Sequence, residues 1–190
     1  MNVKGTEQTI LWRRVDAPGH DACALVQSSD GWSLSGAAVF AADGQPCRLC
    51  YEVECDATWK TRSAKVEGWL GKAALKIVLA AVSGTGWSLN GIEQAPLAGL
   101  VDVDLGFTPA TNLIQLRRLA LGVGCEADAP AAYLNFPELK FTRLEQRYRR
   151  VSPDRYYYQA PDFGYAGILQ VSDFGFVTHY PGLWVVEALR

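Results

Sequence analysis

Pairs of turn-forming residues punctuate this chain at short intervals: Asp30-Gly31, Asp43-Gly44, Ser83-Gly84, Asn90-Gly91, Pro153-Asp154 and Pro181-Gly182. Between them lie short runs rich in Val, Leu, Tyr, Phe and Trp. Glycine after Asp or Asn supplies the backbone freedom that a tight hairpin turn needs, and apolar runs of this length suit half-buried strands. The spacing therefore predicts an antiparallel, mostly-β fold. Residues 48–54 and 100–105 alternate apolar and polar side chains, so each run should show one buried and one exposed face. Residues 72–82 fit either a helix or a buried strand. Their place just before a Gly-Trp unit favours the strand.

That unit is part of a repeat. Gly31-Trp32-Ser33-Leu34-Ser35-Gly36 returns as Gly86-Trp87-Ser88-Leu89-Asn90-Gly91, and each copy leads to an acidic alternating run, at 51–56 and at 100–105. Trp32 and Trp87 should then hold equivalent strand positions in two related hairpins. Two copies do not make a solenoid, so one continuous domain over residues 1–190 is expected. Asp162-Phe163-Gly164 and Asp173-Phe174-Gly175 suggest a kinase motif, but no glycine-rich phosphate loop or His-Arg-Asp loop accompanies them.

One helix is expected at about residues 109–121, with Thr108 as cap, Pro109 in the first turn and Gly122 as stop. Its apolar arc is very wide, and only Thr111, Asn112, Gln115 and Arg118 form a polar arc. Such a helix should be enclosed on most sides, as a single helix wrapped by a strongly bent antiparallel sheet. By strict count that is α+β. Arg117 falls within the apolar arc, so it is expected to be buried against Asp102 or Asp104, with Arg118 left solvated.

Composition narrows the function. Hydrophobic residues make up 49% and charged residues 20%, as in a globular chain, and a net charge of −2 argues against a nucleic-acid partner. Residues 1–14 lack the apolar stretch of a signal peptide, and no run is long enough for a transmembrane helix, so a cytoplasmic chain is expected. The five cysteines should then be reduced. His20-x-x-Cys23 and Cys47-x-x-Cys50 have zinc-ligand spacing, but Cys50 and Cys55 fall on opposite faces of one strand. Neither metal nor cofactor is expected.

Asp102-Val103-Asp104-Leu105-Gly106-Phe107-Thr108-Pro109-Ala110-Thr111-Asn112-Leu113, continuing to Arg117-Arg118-Leu119, resembles a bacterial glycolipid-binding family. Val177-Thr178-His179-Tyr180-Pro181-Gly182-Leu183-Trp184 is similar to that family's C-terminal signature. Residues 56–62, which include Trp59, and Tyr148-Arg149-Arg150 fit its intermediate motifs. Leu113-Ile114-Gln115-Leu116 departs from its Leu-Pro-Ile pattern. The resemblance implies a spiral β-roll, a curved sheet around one helix, distantly like the lipoprotein-carrier (Lol) proteins. It also implies a lipid or glycolipid partner.

Such a roll leaves room for an apolar ligand between sheet and helix, with Trp59, Asp102, Asp104, Arg117, Arg118, Tyr148, Arg150 and Tyr180 as candidate binding residues. Three functions follow from different interiors. An apolar cavity would favour a non-enzymatic binder. A polar cleft in which Asp102, Asp104 and Arg117 converge would favour a hydrolase-type enzyme. A filled interior would favour an interaction module.

Overall fold

The computed structural model describes residues 5–82 and 86–190, so the Ser83-Gly84 turn lies outside the described residues. The first eight strands are β1 (Gly5–Arg14), β2 (Gly19–Ser28), β3 (Gly31–Ala42), β4 (Gln45–Asp56), β5 (Thr61–Leu70), β6 (Ala73–Val82), β7 (Gly86–Leu89) and β8 (Ile92–Gln94). Strand β9 (Asp102–Leu105) precedes the helix α1 (Asn112–Leu119). The rest is β10 (Glu126–Asp128), β11 (Ala131–Leu134), β12 (Phe141–Leu144), β13 (Arg147–Ser152), β14 (Arg155–Ala160), β15 (Tyr165–Val171), β16 (Val177–Tyr180) and β17 (Trp184–Leu189). The stretch at 72–82 is a strand, as its position before Gly86-Trp87 suggested.

Fourteen strands form one open antiparallel sheet in the order β10-β13-β14-β15-β16-β17-β1-β2-β3-β4-β5-β6-β7-β8. Nearly every step is a hairpin to the next strand in sequence. Strands β12, β11 and β9 make a second small sheet, in which β9 and β11 run parallel. Trp32 and Trp87 each stand second in their strand, after a glycine of positive φ, at 150° for Gly31 and 116° for Gly86. The copies then diverge. Gly36 lies in the middle of β3, whereas Asn90-Gly91 is the β7–β8 turn.

Two contacts show that the large sheet bends. Tyr51 on β4 brings its hydroxyl within 3.2 Å of Thr108 Oγ1, and Tyr148 on β13 accepts a hydrogen bond from Asn112 Nδ2 at 2.8 Å. Strands β4 and β13 stand eight places apart, roughly 38 Å in a flat sheet. Thr108 and Asn112 are four residues apart, so β4 and β13 must approach each other across this segment. The inner face carries the core, including Trp12, Leu25, Leu34, Leu49, Val53 and Leu79, with Leu113 and Ile114 of α1 packed into it.

The helix is shorter than the sequence suggested. It starts at Asn112, because Thr108 Oγ1 accepts the Ala110 N–H at 3.0 Å and holds residues 108–111 as a turn. It ends where Ala120 takes a left-handed conformation (φ 44°), two residues before Gly122. Strand β9 also differs from expectation, since all four of its residues are buried rather than one face. It pairs with β11 along one edge, and α1 covers its polar side chains.

Candidate functional site

The inner face of β2 carries one residue that its neighbours do not lead one to expect. Asp21 alternates with Cys23 and Leu25 on the buried face and is itself fully buried. Its carboxylate accepts hydrogen bonds from Tyr51 Oη, at 3.0 and 3.3 Å, and from Thr108 Oγ1 at 2.5 Å. Tyr51 reaches Asp21 across Gly36, where an added Cβ would sit 2.2 Å from the tyrosine ring. Burial outweighs these donors and pushes the Asp21 carboxyl up to about 7. The Asp21–Tyr51–Thr108 cluster fixes the turn before α1 to the sheet.

From that turn, the polar stripe of α1 runs along β9. Leu105 N–H donates to Thr111 Oγ1 at 3.3 Å, the Gln115 amide packs 3.3 Å from the Val103 carbonyl, and Arg118 meets Asp102. Arg118 Nε and Nη2 donate to the two Asp102 oxygens at 2.8 and 2.5 Å. This corrects the expectation for the arginine pair. Thr111, Gln115 and Arg118 share one helix face, and that face meets a strand rather than water. Arg117 is turned to the other side, with its guanidinium 5.4 Å from the Trp59 ring.

Between the 104–112 segment and β14–β16 lies a cavity of about 280 Å³. Tyr133, Tyr158, Tyr165 and Tyr180 line it together with Asp104, Thr108 and Asn112. The rings form one cluster: Tyr158, Tyr165 and Tyr180 have centroids 5.3–5.9 Å apart, and Tyr148 packs 4.8 Å behind Tyr158. Burial pushes all these phenols up, so they remain hydroxyl donors. Burial likewise lifts Asp104 to about 7, aided by the nearby Asp102 charge and opposed by the Thr111 hydroxyl at 3.5 Å. Asp104 lines the same cavity as Tyr133, Tyr158 and Tyr180, and its charge raises these phenols and that of Tyr148 further. Gln146 accepts from Tyr158 at 2.9 Å and Tyr148 at 3.3 Å, and its side chain also opposes the upward push on the Asp104 carboxyl.

The eight candidate residues therefore do not form one site. Asp104 and Tyr180 line the tyrosine cavity, and Tyr148 backs it. Trp59, Arg117 and Arg150 line a separate cavity of about 510 Å³ near the end of α1. Asp102 and Arg118 are taken up by their ion pair, where burial raises the Asp102 carboxyl and Arg118 opposes it. The proposed catalytic cluster of Asp102, Asp104 and Arg117 is thus not assembled. Sequence reading missed Asp21, Tyr133, Tyr158, Tyr165 and Gln146. For Asp21 a signal existed, a carboxylate in phase with Cys23 and Leu25. The four zinc-spaced residues also separate: each pair is three apart in a strand, so His20 points out toward Glu187 while Cys23 is buried. Among the described residues no group of three or more His, Cys, Asp or Glu could hold a metal ion.

Comparison with known proteins bears on this site. The model of the family described as "Putative glycolipid-binding" matches residues 9–185. The chain belongs to this glycolipid-binding family. A crystal structure of a DUF1089 family protein from Pseudomonas aeruginosa is similar, with a TM-score of 0.77 and 27% identity over 87% of this chain and 91% of that one. No curated protein matches the chain. Every residue that lines the tyrosine cavity, from Asp104 to Trp184, falls inside the matched residues. No helix among the described residues is long and apolar enough to cross a membrane.

Proposed function

We propose that this chain is a non-enzymatic binder of a glycolipid, holding the sugar ring in the tyrosine cavity. The observation that carries this reading is the cavity's wall: four tyrosine rings with hydroxyls retained, beside Asp104 and Asn112. Aromatic faces suit the C–H face of a sugar, while hydroxyl, amide and carboxyl groups suit its polar edge. A volume of about 280 Å³ fits one ring and the start of a chain, not a whole lipid. The family's description supports the same ligand class. The five free cysteines suit a reducing compartment, so the reading includes a cytoplasmic location.

Isothermal titration with octyl glucoside, below its micelle concentration, tests the reading. Ala160 lines the cavity and is almost fully buried. Ala160→Leu should fill the space and abolish binding, at a stability cost of about 1–3 kcal/mol. Equal binding by the variant, or none by the native chain, would refute a sugar site here.

A further inference from the structure

The second cavity holds charges that the glycolipid reading does not use. It lies between the last turn of α1 and the β13–β14 hairpin, one inward position along β14 from the tyrosine cavity: Tyr156 faces the one and Tyr158 the other. The two cavities share no lining residue.

Two guanidinium groups enter this space. Arg150 is held by three backbone carbonyls, those of Leu121 at 2.8 Å, Pro153 at 2.6 Å and Ser152 at 3.4 Å. That fixes its position, and among the described residues no carboxylate pairs with it. Arg117 is half-buried, and among the described residues it makes neither an ion pair nor a side-chain hydrogen bond. Its contact is the Trp59 face. Gly175, at a positive φ of 100°, lies alongside Arg117, and an added Cβ there would sit 3.4 Å from Arg117 Cδ. Arg117, Arg150 and Tyr156 line the same cavity, with the Arg150 guanidinium 5.5 Å from the Tyr156 ring, and both charges oppose the upward push of burial on the Tyr156 hydroxyl. The exposed Asp173 sits at the rim and pairs with neither arginine.

Water reaches a half-buried guanidinium, so the Arg117 donors stay open to an acceptor that enters the cavity. We propose that the Arg117–Arg150 cavity binds a phosphate-class anion, with Arg117 as the residue that grips it. The planar fork of arginine suits bidentate contact with phosphate oxygens. The Trp59, Tyr156, Leu116 and Val171 walls accommodate an apolar body attached to the anion. A free phosphate and a lipid headgroup present the same oxygens, and the experiment separates these sources. The proposal does not depend on a sugar in the tyrosine cavity.

The test is isothermal titration of the full chain at low salt with inorganic phosphate and, separately, with dihexanoyl phosphatidate. Phosphatidate binding more tightly than phosphate identifies a lipid headgroup, and equal binding identifies a free-phosphate site. In either case Arg117→Gln should weaken binding about tenfold or more, and Arg117→Lys by less, because the charge remains but the fork is lost. Asp173→Asn should tighten binding, since it removes a like charge from the rim. Unchanged thermal unfolding of Arg117→Gln shows that the loss is not one of folding. Octyl glucoside binding should be indifferent to Arg117→Gln, which keeps this outcome apart from that of the sugar site. The proposal is overturned if neither anion binds at millimolar concentration, or if Arg117→Gln leaves both affinities unchanged.

Discussion

Arg118 and Asp102 meet side-on, each of two guanidinium nitrogens on its own carboxylate oxygen, with the Asp102 side chain fully buried and that of Arg118 20% exposed. Removing Arg118 leaves a carboxylate sealed against the helix with no counter-charge. Arg118→Ala should therefore cost about 3–5 kcal/mol. Arg117→Ala removes only a contact with the Trp59 face and should cost about 1 kcal/mol or less. Urea unfolding of both variants gives the comparison. Equal losses would mean that the ion pair does not fix the helix to β9.

Trp59 offers a second test, because its backbone is left-handed, with φ at 68°. The loop that holds it is built on Asp56, whose Oδ1 accepts from the Thr58 and Lys60 N–H groups at 2.8 and 3.0 Å. The ring stacks on Trp32 at 4.6 Å and 17°. Losing that ring should cost about 3–5 kcal/mol in Trp59→Ala. Glycine adopts this φ freely, so Trp59→Gly should be the milder change by about 1 kcal/mol, reversing the usual order of the two. A glycine variant less stable than the alanine one would show that the conformation carries no strain.

Asp21 and Asp104 make stability depend on pH in an unusual direction. Each carboxyl titrates near 7 when folded, against an ordinary value of 3.8. Between about pH 4 and 7 the folded chain keeps protons that the unfolded chain has released, so their contribution is full below pH 4 and lost as pH rises through 7. Each group adds a slope of up to ~1.4 kcal/mol per pH unit. Asp21→Asn should flatten the stability curve over this window by one proton's share. Denaturant midpoints at several pH values read it directly, and an unchanged slope would place the Asp21 carboxyl at its ordinary value.

The thiols should divide by burial. Cys125 is exposed and Cys50 half-buried, whereas Cys23, Cys47 and Cys55 are buried. Burial pushes Cys47 up to about 11 and Cys55 to about 12, and raises Cys23 further. Alkylation with iodoacetamide at pH 8, read by intact mass, should label Cys125 first and Cys50 more slowly. The other three should react only after unfolding. Rapid labelling of Cys23 in the native chain would contradict the strand register that points it inward.

What could be read in advance was local. The Asp43-Gly44, Asn90-Gly91 and Pro153-Asp154 signals each became the turn between two paired strands, and the Asp30-Gly31 signal fell one residue late, on a Ser29-Asp30 turn with Gly31 opening β3, because a two-residue turn and its flanking alternation are set by neighbours in sequence. The helix was legible too, apart from its ends. The error over Arg117 and Arg118 came from equating a polar arc with solvent. Thr111, Gln115 and Arg118 are polar because β9 offers them a carboxylate, a carbonyl and an N–H, and helical periodicity alone does not tell a polar strand from water. The tyrosine cavity was not legible. Tyr133, Tyr158, Tyr165 and Tyr180 come from β11, β14, β15 and β16, and only the parallel β9–β11 pairing and the bend of the sheet bring them to Asp104.

The sugar site in that cavity is the claim on which the functional account rests, and tyrosine-selective NMR tests it most directly. With ring-labelled tyrosine, titration with octyl glucoside should shift the resonances of Tyr133, Tyr158, Tyr165 and Tyr180. Tyr157, which alternates with Tyr156 and Tyr158 and stacks with Arg149, should stay unmoved. Shifts confined to Tyr157, or no shift at any of the four cavity tyrosines, would contradict the account.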